Sequence, residues 1–183
     1  MKNKNYLYGL LLYGFIAGFT SPISAEIRQC DKEFISSDDS RIVYMGRISR
    51  SIPHIVRFTY PGVSILANFE GTSLQMKAKP GSGAFMVEVD DELPYRINFA
   101  ENDSIQTLAE GLPEGIHRVR ILYAIEGYEL KPAFKGFYLD KGCRLDEAPV
   151  LPERRIEFIG NSITCGYGVE SENPSDPFTY ETE

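Results

Sequence analysis

The residues of this 183-residue chain best suited to chemistry lie near its C-terminal end. An apolar run, Ile156-Glu157-Phe158-Ile159, leads into the small polar turn Gly160-Asn161-Ser162. A serine just past the end of a strand exposes its hydroxyl, and the backbone N–H groups beside it can point at a developing oxyanion. An acyl group must come close to such a serine, and Gly160, Gly166 and Gly168 leave room for it. The spacing is not that of the G-x-S-x-G elbow, because Thr164 stands where the second glycine would fall. Taken by itself, a serine after Gly-Asn is more commonly a turn residue or a helix N-cap.

A serine hydroxyl is a weak nucleophile until a base activates it. The chain has only two histidines, His54 and His117. His117 falls on the same strand face as Val119 and Ile121, which marks it as a strand or boundary residue rather than a base. His54 follows Pro53 at the start of an apolar run and is expected to be exposed. The three cysteines, Cys30, Cys143 and Cys165, form no C-x-x-C pair, and the histidines form no H-x-x-H pair. A structural zinc site therefore has no support, and no cofactor is implied.

The elements that must position Ser162 are strands. Between Arg41 and Asp140 the runs "RIVYMGRI", "HIVRFTY", "VSILANF", "SLQMKAK", "AFMVEVD", "PYRINF", "SIQTLAE", "IHRVRILYAI" and "AFKGFYLD" alternate apolar with polar residues. Gly, Pro and Asp separate them. That is about nine strands at spacings of roughly 8 to 12 residues, with no helical periodicity, the pattern of an antiparallel sandwich or barrel. Residues 26–148 are expected to form one compact β-domain. Pro149 and Pro152 mark a linker, and Arg154–Ile159 is expected to be a strand with Ser162 just past its end.

Composition bounds the partners. At 43% apolar residues the chain can build one good core but not two. The net charge of −7, without a basic run, argues against a nucleic-acid partner. Eleven Tyr and eleven Phe fit a sugar-binding face and a β-sandwich core equally, so the count decides nothing. Residues 1–25 have the three parts of a secretory signal peptide. These are Lys2 and Lys4, the uncharged Tyr6–Phe19, and the breaker Pro22 before Ala25, after which cleavage is expected. An uncleaved anchor is the alternative, though Gly9, Gly14, Gly18 and Pro22 weaken it as a spanning helix. The expected location is secreted or periplasmic, with no stable membrane insertion once the signal is removed. In an oxidising compartment Cys30 and Cys143 could pair and leave Cys165 over, or all three could be buried thiols.

"IEFIGNSITCGYG" resembles the first conserved block of the SGNH (GDSL-type) esterases, with Asn161 where many members have Asp. The chain more closely resembles carbohydrate esterase family 2, the acetyl-xylan esterase type, through "MGRI", "YPGVSILANFEGTSLQMK", "VEVDDE", "LAEGLPEGIHRVRI" and "FKGFYLDKG" as well. The resemblance implies an antiparallel jelly-roll β-sandwich followed by the start of an α/β SGNH hydrolase domain, residues 149–183. It implies O-acetyl removal from xylan- or mannan-type plant-wall polysaccharide. Ser162 would be the nucleophile, with its own backbone N–H as one oxyanion donor. The later blocks of that domain, including its histidine, have no counterpart here, so the chain alone is expected to be inactive. The alternative is a non-catalytic, carbohydrate-contacting β-sandwich.

Overall fold

The computed structural model describes residues 32–154, 156–164, 166, 168, 169 and 171–175. The expectations for the signal peptide, for Cys30 and for Cys165 lie outside the described residues. Eleven strands occur in order: β1 (Lys32–Ser36), β2 (Val43–Met45), β3 (Ser49–Ile52), β4 (Ile55–Arg57), β5 (Ser64–Glu70) and β6 (Leu74–Ala78), then β7 (Gly83–Val89), β8 (Tyr95–Phe99), β9 (Ile105–Ala109), β10 (Ile116–Tyr123) and β11 (Ala133–Asp140). No helix is present among the described residues.

The strands form two antiparallel sheets. One runs β3-β4-β11-β6-β9, with β1 also on β11, and the other runs β2-β5-β10-β7-β8. From β4 onward the chain is one long hairpin rolled up. β7 pairs with β8, and β6 with β9, β5 with β10 and β4 with β11 nest outside that pair. That nesting is the jelly roll. The tip of the hairpin is Asp90-Asp91, both left-handed (φ 52° and 62°) under a bond from Glu92 N–H to the Val89 carbonyl. Two successive positive φ values make the turn whose twist matches the flanking strands.

Alternation builds the core. On β10, His117, Val119, Ile121 and Tyr123 face in, while Ile116, Arg118 and Arg120 face out. Phe58, Phe85, Phe99 and Tyr123 meet edge to face at centroid distances of 5.0–6.1 Å. Such pairs each add about 1 kcal/mol beyond the area they bury.

The expected strands correspond to nine of the eleven. The strands β1 and β3 were not anticipated. β3 is exposed at all four positions and therefore shows no alternation. The strand expected over Arg154–Ile159 does not form. Its described residues have no ladder partner, and Ile156, Phe158 and Ile159 remain 81%, 82% and 89% exposed.

The strand β11 carries a bulge. Against β6, Phe134 pairs with Ala78 and Gly136 with Lys77, so Lys135 is the extra residue. The bulge lets Phe134 and Phe137, an odd number of residues apart, both reach full burial. Gly136 sits there at φ 142°, and a Cβ on it would lie 2.1 Å from the Ile35 carbonyl oxygen of β1. We expect Gly136→Ala to destabilise the sandwich by about 2 kcal/mol or more, since the clash is with backbone and the conformation disfavours a side chain. Urea unfolding measures this, and a variant as stable as the parent would refute it.

Candidate functional site

Ser162 lies on an exposed turn. The Thr164 N–H donates to the Asn161 carbonyl at 3.0 Å, which places Ser162 at the first corner. The Asn161 side chain reinforces the turn, its Oδ1 accepting from the Ile163 N–H at 3.1 Å. A Cβ at Gly160 would fall 2.0 Å from Thr164 Oγ1, so the missing side chain lets Thr164 pack against Gly160.

Neither histidine serves Ser162. His117 is 8% exposed beneath the tip of the hairpin and packs against Phe69 at 5.5 Å. Its Nδ1 meets Asp90 Oδ2 at 2.5 Å and its Nε2 meets the Pro113 carbonyl at 2.8 Å. Both partners are acceptors, an arrangement that favours the imidazolium form, in which both ring nitrogens donate. Burial alone would lower its pKa. The Asp90 hydrogen bond, the Pro113 carbonyl and the Asp90 charge outweigh that and raise it. Asp90 shifts the other way: burial pushes its pKa up, but bonds from the Arg118 N–H and from His117 bring it below the usual carboxylate range. The signal for this pair was in the sequence, as Asp90-Asp91 at a hairpin tip, but only the register shows that the tip folds over the start of β10.

His54 forms the one Ser/His/Asp grouping seen among the described residues, and it is not a triad. It occupies the second corner of the Pro53-His54 turn at φ 61°. Its Nδ1 lies 3.2 Å from Ser36 Oγ and 2.9 Å from Asp38 Oδ2. In a catalytic triad the serine and the carboxylate bond opposite ring nitrogens, whereas here both approach the same one. The grouping ties the β3–β4 turn to the end of β1, an attachment strengthened by the His54 N–H to Asp38 Oδ2 at 2.8 Å.

The root of the segment that leads to Ser162 is braced by charge. Asp140, at the end of β11, accepts from Lys32 Nζ at 2.6 Å, from Ser73 Oγ at 2.7 Å and from Thr72 Oγ1 at 3.1 Å. Burial works to raise its pKa, but the Lys32 and Ser73 bonds, the Lys32 charge and Thr72 prevail and lower it to about 2. Cys143, next to this network, is a free, half-buried thiol. Burial first, then the charges of Asp140, Glu70, Glu114 and Glu33, push its pKa up, so it stays protonated and unreactive. Among the described residues no group of His, Cys, Asp or Glu is placed to hold a metal ion.

Residues 44–149 match the family described as carbohydrate esterase 2 N-terminal. This chain belongs to carbohydrate esterase family 2. It is 35% identical, over 157 residues, to an acetylxylan esterase / glucomannan deacetylase of Cellvibrio japonicus, covering 86% of this chain but 42% of that protein. Two solved structures share the fold. A family two carbohydrate esterase from Cellvibrio japonicus matches with TM-score 0.72 and 26% identity over 82% of this chain and 45% of that one. One from Clostridium thermocellum, in complex with cellohexaose, matches with TM-score 0.67 and 34% identity over 78% and 44%. The chain therefore spans less than half the length of these relatives, and the matched family region ends before Ser162.

The His117 geometry has a pH consequence. A histidine whose folded pKa is raised contributes stability that is complete below the unfolded value of about 6.5 and lost as pH rises through the folded value. Wild-type protein should lose stability in urea as pH rises above about 6.5, and His117→Gln should flatten that slope. An equal slope in the variant would exclude His117 as its source.

Proposed function

We propose that these residues form the β-sandwich and the nucleophile-bearing entry of a secreted or periplasmic carbohydrate acetyl esterase, with Ser162 as its nucleophile. The observation that carries the reading is the order of two features. A sandwich matching the carbohydrate esterase 2 N-terminal family over 44–149 leads directly into the exposed Asn161–Thr164 turn that bears Ser162. The substrate would be acetylated plant-wall polysaccharide, in keeping with the acetylxylan and glucomannan activities named for the Cellvibrio japonicus relative.

In this reading Ser162 Oγ attacks the acetyl carbonyl while a base accepts its proton. The oxyanion that develops takes a hydrogen bond from the Ser162 backbone N–H. The sugar hydroxyl then departs with the proton, and water hydrolyses the acetyl-serine. The base would come from outside the sandwich, because both ring nitrogens of His117 are taken by acceptors and His54 is tied by Asp38 and Ser36 to the β3–β4 turn, with no contact to Ser162 among those the structure shows.

Two measurements test it. The 183-residue polypeptide alone should not hydrolyse aryl acetate, whereas a polypeptide joining it to a histidine-bearing SGNH hydrolase domain should. In the joined protein Ser162→Ala should lower turnover on the order of 10⁶-fold, the cost of removing a serine nucleophile. Full activity in the Ser162→Ala variant would remove Ser162 from the mechanism.

A further inference from the structure

The chain leaves the sandwich at the end where Glu70 and Ile116 lie side by side. At the opposite end, a cavity of about 270 Å³ opens between the β2–β3 turn, the end of β4 and the β10–β11 loop. It is lined by Arg47, Arg57, Lys131 and Tyr60, and by the hydroxyl-bearing Ser49 and Thr59, with no carboxylate in its wall.

The cations of this wall differ in their partners from several others of the sandwich. Lys32, Arg41, Arg118, Arg120 and Arg144 each reach a carboxylate. Among the described residues Arg47, Arg57 and Lys131 have no acidic partner, although the chain carries a net charge of −7. Three like charges around one cavity repel one another. An acidic protein has carboxylates to spare for neutralising them, and none is placed here.

The wall is also built rather than loose. The Arg47 guanidinium lies over the Tyr60 ring, 5.2 Å from its centroid, and its Nη1 is 3.5 Å from the Tyr60 hydroxyl, so the two side chains hold each other in place. Tyr60 nevertheless stays 54% exposed. Lys131 is held at φ 51° by a bond from its N–H to the Gly127 carbonyl at 2.8 Å. A residue before proline is pushed towards extended conformations, so Lys131, followed by Pro132, sits where the backbone resists it. Strain of this kind persists only where the surrounding structure enforces it.

We propose that this cavity binds a carboxylate-bearing sugar, a uronosyl unit carried on the polysaccharide. Arg57 and Lys131 meet the carboxylate, and the Tyr60–Arg47 surface backs the ring. Its volume suits one sugar residue and falls short of the roughly 300 Å³ or more of a drug-sized pocket. The anion part of the assignment stands on the three cations. The saccharide part rests on the esterase reading above.

The test is calorimetric titration of the full chain with three probes: a glucuronate-substituted xylo-oligosaccharide, the same oligosaccharide with its carboxyl reduced to an alcohol, and inorganic phosphate. The acid form should bind about tenfold or more tighter than the reduced form, as expected when charge-assisted hydrogen bonds are lost. Arg57→Gln and Lys131→Gln should each bring it towards the reduced form, with thermal midpoints unchanged to show that the fold is kept. Equal affinity for acid and reduced forms would overturn the proposal, as would no binding of either. Phosphate binding as tight as the acid saccharide would show an anion site without sugar recognition and would also overturn it. Ser162→Ala should leave uronate binding intact, so this proposal and the esterase reading fail separately.

Discussion

The sandwich depends on how β11 shares its edges. On one side it pairs with β6 along most of its length. On the other it must hold two partners, β4 opposite Ala133 and Phe134 and β1 opposite Gly136 to Asp140. The bulge at Lys135 is what makes this division possible. It offsets the register by one residue, brings Phe134 and Phe137 onto the same face, and gives β1 a fresh start at Gly136. Phe134 and Phe137 then pack against each other at 4.9 Å, and Tyr44 reaches Phe134 at 6.2 Å from the other sheet. A side chain at Gly136 would push β1 off, and the Lys32–Asp140 contact with it.

Most of this architecture was legible because most strands have one wet face and one dry face. The run Ile116–Tyr123 alternates as written, and its burial follows the letters. The strand β3, Ser49–Ile52, was illegible for the complementary reason. It lies at the sheet edge with all four positions exposed, so pairing and not burial defines it. The segment Arg154–Ile159 misled in the opposite direction. It carries the apolar letters of a strand buried on both faces, but such letters state a need for neighbours and not their presence. The cationic cavity had no sequence signal, since Arg47, Arg57 and Lys131 come from three separate segments and meet only after the hairpin has rolled up.

The histidines show why residue type alone is weak evidence for catalysis. A general base needs an unprotonated ring nitrogen facing the proton it will accept. His117 has a carboxylate on one nitrogen and a carbonyl on the other, an arrangement that stabilises the cation and leaves neither nitrogen facing an outside proton. His54 sits beside both a serine and an aspartate, yet the two compete for Nδ1 instead of flanking the ring. Each histidine fastens one stretch of backbone to another: the hairpin tip to the start of β10, and the β3–β4 turn to β1. Both are committed to holding the fold together.

The sandwich also fixes how the chain departs from it. After β11 the backbone does not swing free. Leu145 bridges to Phe69 and is 1% exposed, Glu70 N–H donates to the Arg144 carbonyl at 2.9 Å, and Asp146 N–H donates to the Asn68 carbonyl at 2.9 Å. Arg41 Nη1 holds the Leu145 carbonyl at 2.8 Å, and Asn68 Nδ2 holds the Glu147 carbonyl at 2.9 Å. Only beyond these bonds does exposure become nearly complete, with Val150 at 95%. Pro149 and Pro152 then restrict the backbone just where side-chain support ends. The direction in which the Ser162 segment sets out is therefore decided by residues of β5 and by Arg41, far from it in sequence. A change at Asn68 or Arg41 would alter that direction without touching Ser162 itself, so the sandwich acts on the Ser162 segment as a mount, from a distance in sequence.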